Sequence, residues 1–252
     1  MSARTATAAT AGMDPTTTPR ETSGTPGAGA GPELRVDSGR ALSPALVAEL
    51  DAFCDELESA AGEGRPVGVL LLGGGAGDRD LRGDGVDVHL VSKWERALRR
   101  MERLGAPTLA LAEGECGGVA LDALLAADYR IARANTLLRP HVRPDGVWPG
   151  MALFRLASHA GAARVRRAVL FGTPVAAGEA LELNLLDEVV GEGEREAAVK
   201  AAVELLTAFP GAELAVRRRL LIDATSVSFE DALGSHLSAC DRSLRREREA
   251  GA

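Results

Sequence analysis

Two apolar runs of the chain end in glycines, and a helix follows the second. Val67–Leu72 (VGVLLL) leads into Gly73-Gly74-Gly75, and Pro107–Ala112 (PTLALA) into Gly114, Gly117 and Gly118. The next stretch, Val119–Ala127, is apolar throughout except for one aspartate. Backbone N–H groups at such a helix start lack intrahelical partners and lie at the positive end of the helix dipole. They can stabilise an anion, either a phosphate or the oxyanion of an enolised thioester. The same glycines also read as plain turn formers, and spacing alone leaves both readings open. Some chemistries are excluded: no GxGxxG with a ribose-binding acid, no GxxxxGK[ST] and no GxSxG elbow occurs.

Several residues near these turns could move protons. Asp122 is the aspartate in VALDALLAA, where an unpaired charge would be costly. It either serves a site or benefits from the helix dipole in the first turns after Gly118. His141, in LLRPHVRPDG, is a proton shuttle with Asp145 as partner on the same loop, or an ordinary surface histidine. His89 is a weaker candidate, and His159 and His236 fall in helical segments with no assignment. Cys116 could be activated beside a helix N-terminus, but no base lies near it in sequence, so it reads as structural. Trp148, in PDGVWPG, either lines a pocket or anchors its loop.

The elements that must carry these residues alternate between strand and helix. Glu33–Val36 is a short strand candidate. Ser43-Pro44 supplies an N-cap and a first-turn proline, which predicts a helix over 44–60. Leu46, Leu50, Phe53, Cys54 and Leu57 recur on one face of it. The two apolar runs fit strands covered on both faces, and Val91, Trp94, Leu98 and Met101 mark a further helix between them. Tyr129–Ala132 and Thr136–Leu138 read as short strands, and 144–150 as a turn-rich loop. From Met151 onward the chain reads as mostly helical, with helices over 151–159, 161–171, 176–185, 194–208, 211–224 and 228–248. In the last, Phe229, Leu233, Leu237, Cys240 and Leu244 form one stripe, opposite a solvated arginine-rich face.

The 252 residues are 46% hydrophobic and 26% charged, which suits a globular domain. The net charge of −7 argues against a nucleic-acid partner, because phosphate binding needs positive surface. No apolar run reaches the roughly 18–20 residues of a membrane span. Three widely spaced cysteines with no CxxC argue against a disulfide framework or a zinc site and fit a cytoplasmic setting. Residues 1–31 lack apolar periodicity and are expected to be disordered.

Together these segments carry a resemblance. Gly105–Ala132 (GAPTLALAEGECGGVALDALLAADYRIA) resembles the signature of the crotonase (enoyl-CoA hydratase/isomerase) superfamily. Gly172–Val190 (GTPVAAGEALELNLLDEVV) and the turn at Gly146–Gly150 resemble its downstream stretches, so the likeness spans roughly 33–248. Val86–Leu104, VWPGMALFRLA (147–157) and SFEDALGSHLSACDRSLRR (228–246) resemble its DpgB branch. That branch assists type III polyketide synthases in making 3,5-dihydroxyphenylacetyl-CoA from malonyl-CoA.

The resemblance implies an α/β crotonase (ClpP/crotonase-like) fold, a spiral of ββα units over 32–190. It further implies a C-terminal helical trimerisation region over 191–252 and a homotrimer or hexamer. The oxyanion hole would draw one backbone N–H from Asp84 in the Asp84-Gly85-Val86-Asp87 loop and one from Val119 in Gly118-Val119-Ala120. Asp122 and His141 fall where family hydratases place paired glutamates, and Gly118 and Trp148 would contact substrate. The implied ligand is an acyl-CoA or polyketide-CoA, losing water on the way to an aromatic ring, with a type III synthase as partner. No metal and no redox cofactor is expected. The alternatives are a generic enoyl-CoA hydratase/isomerase, a non-catalytic partner of the synthase, and a structural oligomer with a degenerate pocket.

Overall fold

In chain order the first half comprises β1 (Glu33–Asp37), α1 (Pro44–Ala60), β2 (Gly68–Gly74), α2 (Val88–Met101), β3 (Thr108–Gly117), α3 (Gly118–Ala126), β4 (Tyr129–Arg133) and β5 (Leu137–Arg139). The second half comprises β6 (Val142–Arg143), β7 (Gly146–Val147), α4 (Ala152–Ala160), α5 (Ala162–Phe171), β8 (Val175–Ala176), α6 (Ala177–Glu182), β9 (Glu188–Val190), α7 (Arg195–Leu206), α8 (Gly211–Asp223) and α9 (Phe229–Ala250). This computed structural model describes residues 31–61, 64–74, 85–140, 142–143, 146–147, 150–209 and 211–250. The expected disordered segment thus lies, except for Gly31, outside the described residues.

The apolar runs become inner strands of a parallel sheet ordered β1-β2-β3-β4-β9. Strand side chains alternate between faces, so each run supplies two cores at once. Leu70, Leu72, Ala110 and Ala112 join the cluster under α1, α2 and α3, together with Leu50, Phe53, Trp94, Leu98 and Leu121. Val69, Leu71, Leu109 and Leu111 face the other way and pack with Ala198, Val199 and Ala202 of α7. Burial on both faces explains why these strands read as unbroken hydrophobic runs rather than alternating ones.

The helix starts follow local chemistry. Ser43 accepts from the Leu46 N–H at 3.3 Å, with Pro44 in the first turn of α1. Asp87 accepts from Leu90 N–H at 2.8 Å and caps α2. Each side-chain oxygen satisfies one of the donors that a helix start leaves open.

Three expectations need correction. The stretch after Ala112 is not simply a turn: β3 runs on to Gly117. Its first half pairs with β4 (Leu109↔Tyr129 to Ala112↔Ala132) and its last three residues pair with β5 (Glu115↔Leu137 to Gly117↔Arg139). The change of partner comes at Gly114, whose φ of +68° suits a residue without Cβ. Gly146–Val147, expected as loop, pairs antiparallel with Val142–Arg143. β8 and β9 are strands the sequence did not announce, lying on either side of the helix expected over 176–185. β9 is three residues long, and its pairing comes entirely from distant β4.

α8 is tied to the core by Arg218. Its Nε donates to Asp128 Oδ1 at 2.6 Å, Nη1 donates to the Leu104 carbonyl at 2.6 Å, and Nη2 donates to Asp128 Oδ2. Asp128 also accepts from the Thr108 N–H at 2.9 Å and its hydroxyl at 3.1 Å. On α9 the apolar stripe stands open, with Phe229 75%, Leu233 41%, Leu237 57% and Leu244 51% exposed. Among the described residues, no helix is long and apolar enough to cross a membrane.

Candidate active site

The two glycine turns seen in sequence meet in space. β2 and β3 run side by side, with Gly73 opposite Glu113 and Gly74 opposite Gly114. A Cβ on Gly73 would stand 2.0 Å from the Glu113 carbonyl oxygen, and one on Gly114 would stand 2.7 Å from the Gly74 oxygen. Only glycine allows the strands to approach so closely here. From these strand ends the chain turns to α2 on one side and directly into α3 on the other.

α3 begins at Gly118, with φ +53°, and its N-cap is Gly117, which offers no side-chain cap. Val119 follows as the second helical residue, its side chain fully buried. The first-turn amides of α3 thus have no capping side chain, unlike those of α1 and α2. The turn before them is fixed by Ser38, just beyond β1. Its hydroxyl donates to the Glu115 carbonyl and accepts from the Gly117 N–H at 3.4 Å. Nothing in the sequence ties Ser38 to this turn, because the contact depends on how β1 sits in the sheet.

Asp122 stands three residues beyond Val119, about 4.5 Å further along the axis at 1.5 Å per residue. Helical side chains lean toward the N-terminus, so its carboxylate inclines toward the amides of the first turn. It is 0% exposed, and Trp94 Nε1 of α2 donates to its Oδ2 at 3.1 Å. Cys116 lies close enough to feel its charge: burial, reinforced by Asp122, pushes that thiol up to about 12. The thiol is therefore protonated and inert at neutral pH, in keeping with a structural part.

A buried ion network adjoins this group. Arg155 of α4 donates through Nε to Glu102 Oε1 at 2.8 Å and through Nη1 to Glu95 Oε2 at 2.9 Å. The second Glu95 oxygen accepts from the Met151 N–H at 2.7 Å, at the start of α4. Burial works against the Arg155 charge, but Glu102, Glu95 and, last, Asp122 more than offset it and raise its pKa. Sequence reading missed this network because the chain is rich in arginine and glutamate, and such residues usually mark a solvated face.

The structure therefore brings Gly118, Val119 and Asp122 together on one buried helix. Asp84, His141, Asp145 and Trp148 lie outside the described residues. His89 is exposed in the first turn of α2. His159 Nδ1 lies 3.1 Å from Arg130 Nη1, and His236 Nδ1 lies 3.0 Å from the Ala232 carbonyl. A separate groove of about 590 Å³ runs along the carboxyl ends of β1–β4, lined by Arg35, Leu71, Glu113, Ile131 and Arg133 among others, but not by Gly118, Val119 or Asp122.

Comparison with known proteins bears on the family and the fold. Residues 81–233 match the enoyl-CoA hydratase/isomerase family. The chain is 50% identical over 214 residues to an Amycolatopsis orientalis protein named enoyl-CoA-hydratase, covering 85% of this chain and 96% of the relative. Its fold matches an enoyl-CoA hydratase/isomerase from Marinobacter aquaeolei at TM-score 0.69 and 19% identity, covering 85% of this chain and 89% of that one. It also matches a Thermobifida fusca YX protein solved in complex with acetoacetyl-CoA, at TM-score 0.69 and 21% identity, over 86% and 92% of the two chains.

Proposed function

Because the chain belongs to the enoyl-CoA hydratase/isomerase family, we propose that it binds an acyl-CoA thioester and promotes loss of water from it. The observation that carries this reading is the bare first turn of α3, with a carboxylate one turn further on. The Thermobifida fusca relative with acetoacetyl-CoA supports a CoA thioester as the ligand class. One of Asp122 and His141, unprotonated, takes the proton α to the thioester; charge then builds on the carbonyl oxygen, to which the Val119 N–H donates, with Asp84 as the second backbone donor. The Cα–Cβ double bond forms as the Cβ–O bond breaks. The other member of the pair, protonated, gives the departing hydroxyl its proton, and water leaves. Gly118 and Trp148 contact the acyl group. This chemistry calls for no metal and no redox cofactor.

The finer reading is a protein of the DpgB branch. It acts with a type III polyketide synthase on a polyketide-CoA, toward 3,5-dihydroxyphenylacetyl-CoA in secondary metabolism. The segments 86–104, 147–157 and 228–246 support it, as does the replacement of paired glutamates by Asp122 and His141. The open stripe on α9 supports assembly as a homotrimer or hexamer through the C-terminal helices, and three free cysteines fit a cytoplasmic setting. A second reading, an ordinary enoyl-CoA hydratase, is favoured by the name of the half-identical relative.

The test is product formation from malonyl-CoA by the matching synthase, with and without this protein and with the Asp122→Ala/His141→Ala double variant. A rise in dihydroxyphenylacetyl-CoA that a folded double variant no longer gives is the expected result. A rise that survives in that variant makes the protein a non-catalytic partner. No rise, with turnover of crotonyl-CoA, makes it the ordinary hydratase.

A further inference from the structure

We propose that Trp94 is a positioning residue for the reaction, its indole N–H holding the Asp122 carboxylate in place one turn into α3. The inference rests on the reading of Asp122 as an acid/base group and adds to the site a residue from a different helix.

Both partners are 0% exposed, and the Nε1–Oδ2 distance is 3.1 Å. An indole has a donor and no acceptor, so the direction of this bond is unambiguous. It binds Oδ2 and so holds one of the two carboxylate oxygens. An indole also differs from a cation in what it does to an acid: it orients the carboxylate without forming an ion pair with it. Among the described residues, Cys116 of β3 and Arg155 of α4 are titratable or charged groups set near Asp122. The Cys116 thiol is neutral, and Arg155 is taken up by Glu95 and Glu102 of α2. The indole is thus a direct neighbour that orients this carboxylate without neutralising it.

The indole can serve this purpose because α2 is itself held at three points. Asp87 caps its start. Glu95, adjacent to Trp94, binds the Met151 N–H and Arg155. At its far end Arg100 reaches Asp55 at 2.5 Å and Glu58 at 2.8 Å on α1. A catalytic group has to be held within roughly 0.5 Å of its working geometry by neighbours that are themselves locked. Aspartate is one methylene shorter than glutamate, so it has less reach with which to correct a misplacement.

The decisive variant replaces Trp94 with β-(3-benzothienyl)alanine, which keeps the ring shape and exchanges N–H for sulfur. It is compared with wild type and Asp122→Asn for melting temperature, stimulated rate of dihydroxyphenylacetyl-CoA formation, and the protein concentration giving half-maximal stimulation. The expected result is a half-saturation close to wild type and a melting temperature lowered by several degrees, because a buried acceptor loses its donor, with the saturated rate of the folded protein reduced about tenfold. An unchanged rate in the benzothienyl protein, with Asp122→Asn inactive, overturns the role of Trp94 alone. Full activity in Asp122→Asn overturns the acid/base reading of Asp122 and this inference with it. Should the benzothienyl protein fail to fold, the ¹⁵N-indole resonance of Trp94 in wild type, assigned by its loss in Trp94→Phe, takes its place. Acetoacetyl-CoA at saturation is expected to shift that resonance in wild type but not in Asp122→Asn, and equal behaviour in the two overturns the proposal.

Discussion

Arg218→Met breaks the bond between the core and the C-terminal helices, and its cost follows from the geometry. The guanidinium binds both oxygens of Asp128 and the Leu104 carbonyl. The side chains are 9% and 16% exposed, respectively. Methionine fills much of the same volume, so the loss is electrostatic rather than a cavity. Among the described residues, the largely buried carboxylate then keeps the two donors of Thr108. Removing one partner of a buried pair costs about 3–5 kcal/mol; the retained Thr108 donors and the partial exposure place this case near about 3 kcal/mol. A chain of this size loses roughly 2–4 °C of Tm per kcal/mol, so Tm should fall by about 6–12 °C at fixed protein concentration. Asp128→Asn in the same chain removes the stranded charge and should recover part of the loss. A double-mutant cycle by urea unfolding should therefore give a coupling energy above about 1.5 kcal/mol. A single variant within about 0.5 kcal/mol of wild type, or a coupling near zero, would refute the reasoning.

Three further outcomes are expected. Gly73→Ala sets a methyl 2.0 Å from the Glu113 oxygen at φ +115°, and should destabilise by more than about 2 kcal/mol, read as loss of soluble, cooperatively melting protein. Val119→Pro removes one amide donor in a first turn that accepts proline; the folded variant should lose about 10²–10³ in rate, and full activity would remove Val119 from the site. Burial, acting ahead of nearby charges, raises the Cys54 and Cys116 thiols to about 11 and 12. A raised pKa means little thiolate at pH 8, so a disulfide reagent should titrate exposed Cys240 quickly and the other two only after unfolding; three fast thiols would contradict the described packing.

Local signals carried well into the fold where one residue type had one physical task. Ser43-Pro44 marked the start of α1, and the runs 67–72 and 107–112 became strands because burial on both faces leaves no polar positions. The signal failed where partners are remote. β9 has three residues, and β3 continues past Ala112 only because β5 takes over where β4 ends. In the site, Asp122 stood out as a charge in an apolar helix. Its neighbour Trp94 did not, since a tryptophan on an apolar helical stripe is indistinguishable in sequence from an ordinary core residue. Ser38 and the Glu95–Arg155 pair were hidden for the same reason: their roles exist only once distant segments meet.

The bare start of α3 also bears on the protein's thermodynamics. A serine or aspartate at position 117 would stabilise the helix by only roughly a few tenths of a kcal/mol over glycine, and its Cβ would stand 3.0 Å from the Arg139 carbonyl oxygen. No side chain caps α3, so under the proposed function a ligand's oxygen would be the acceptor its first-turn amides take. The ligand is then itself the missing cap. Occupancy and helix stability become one linked equilibrium, in which every molecule that offers an oxygen to those amides also tightens the frame that holds Asp122.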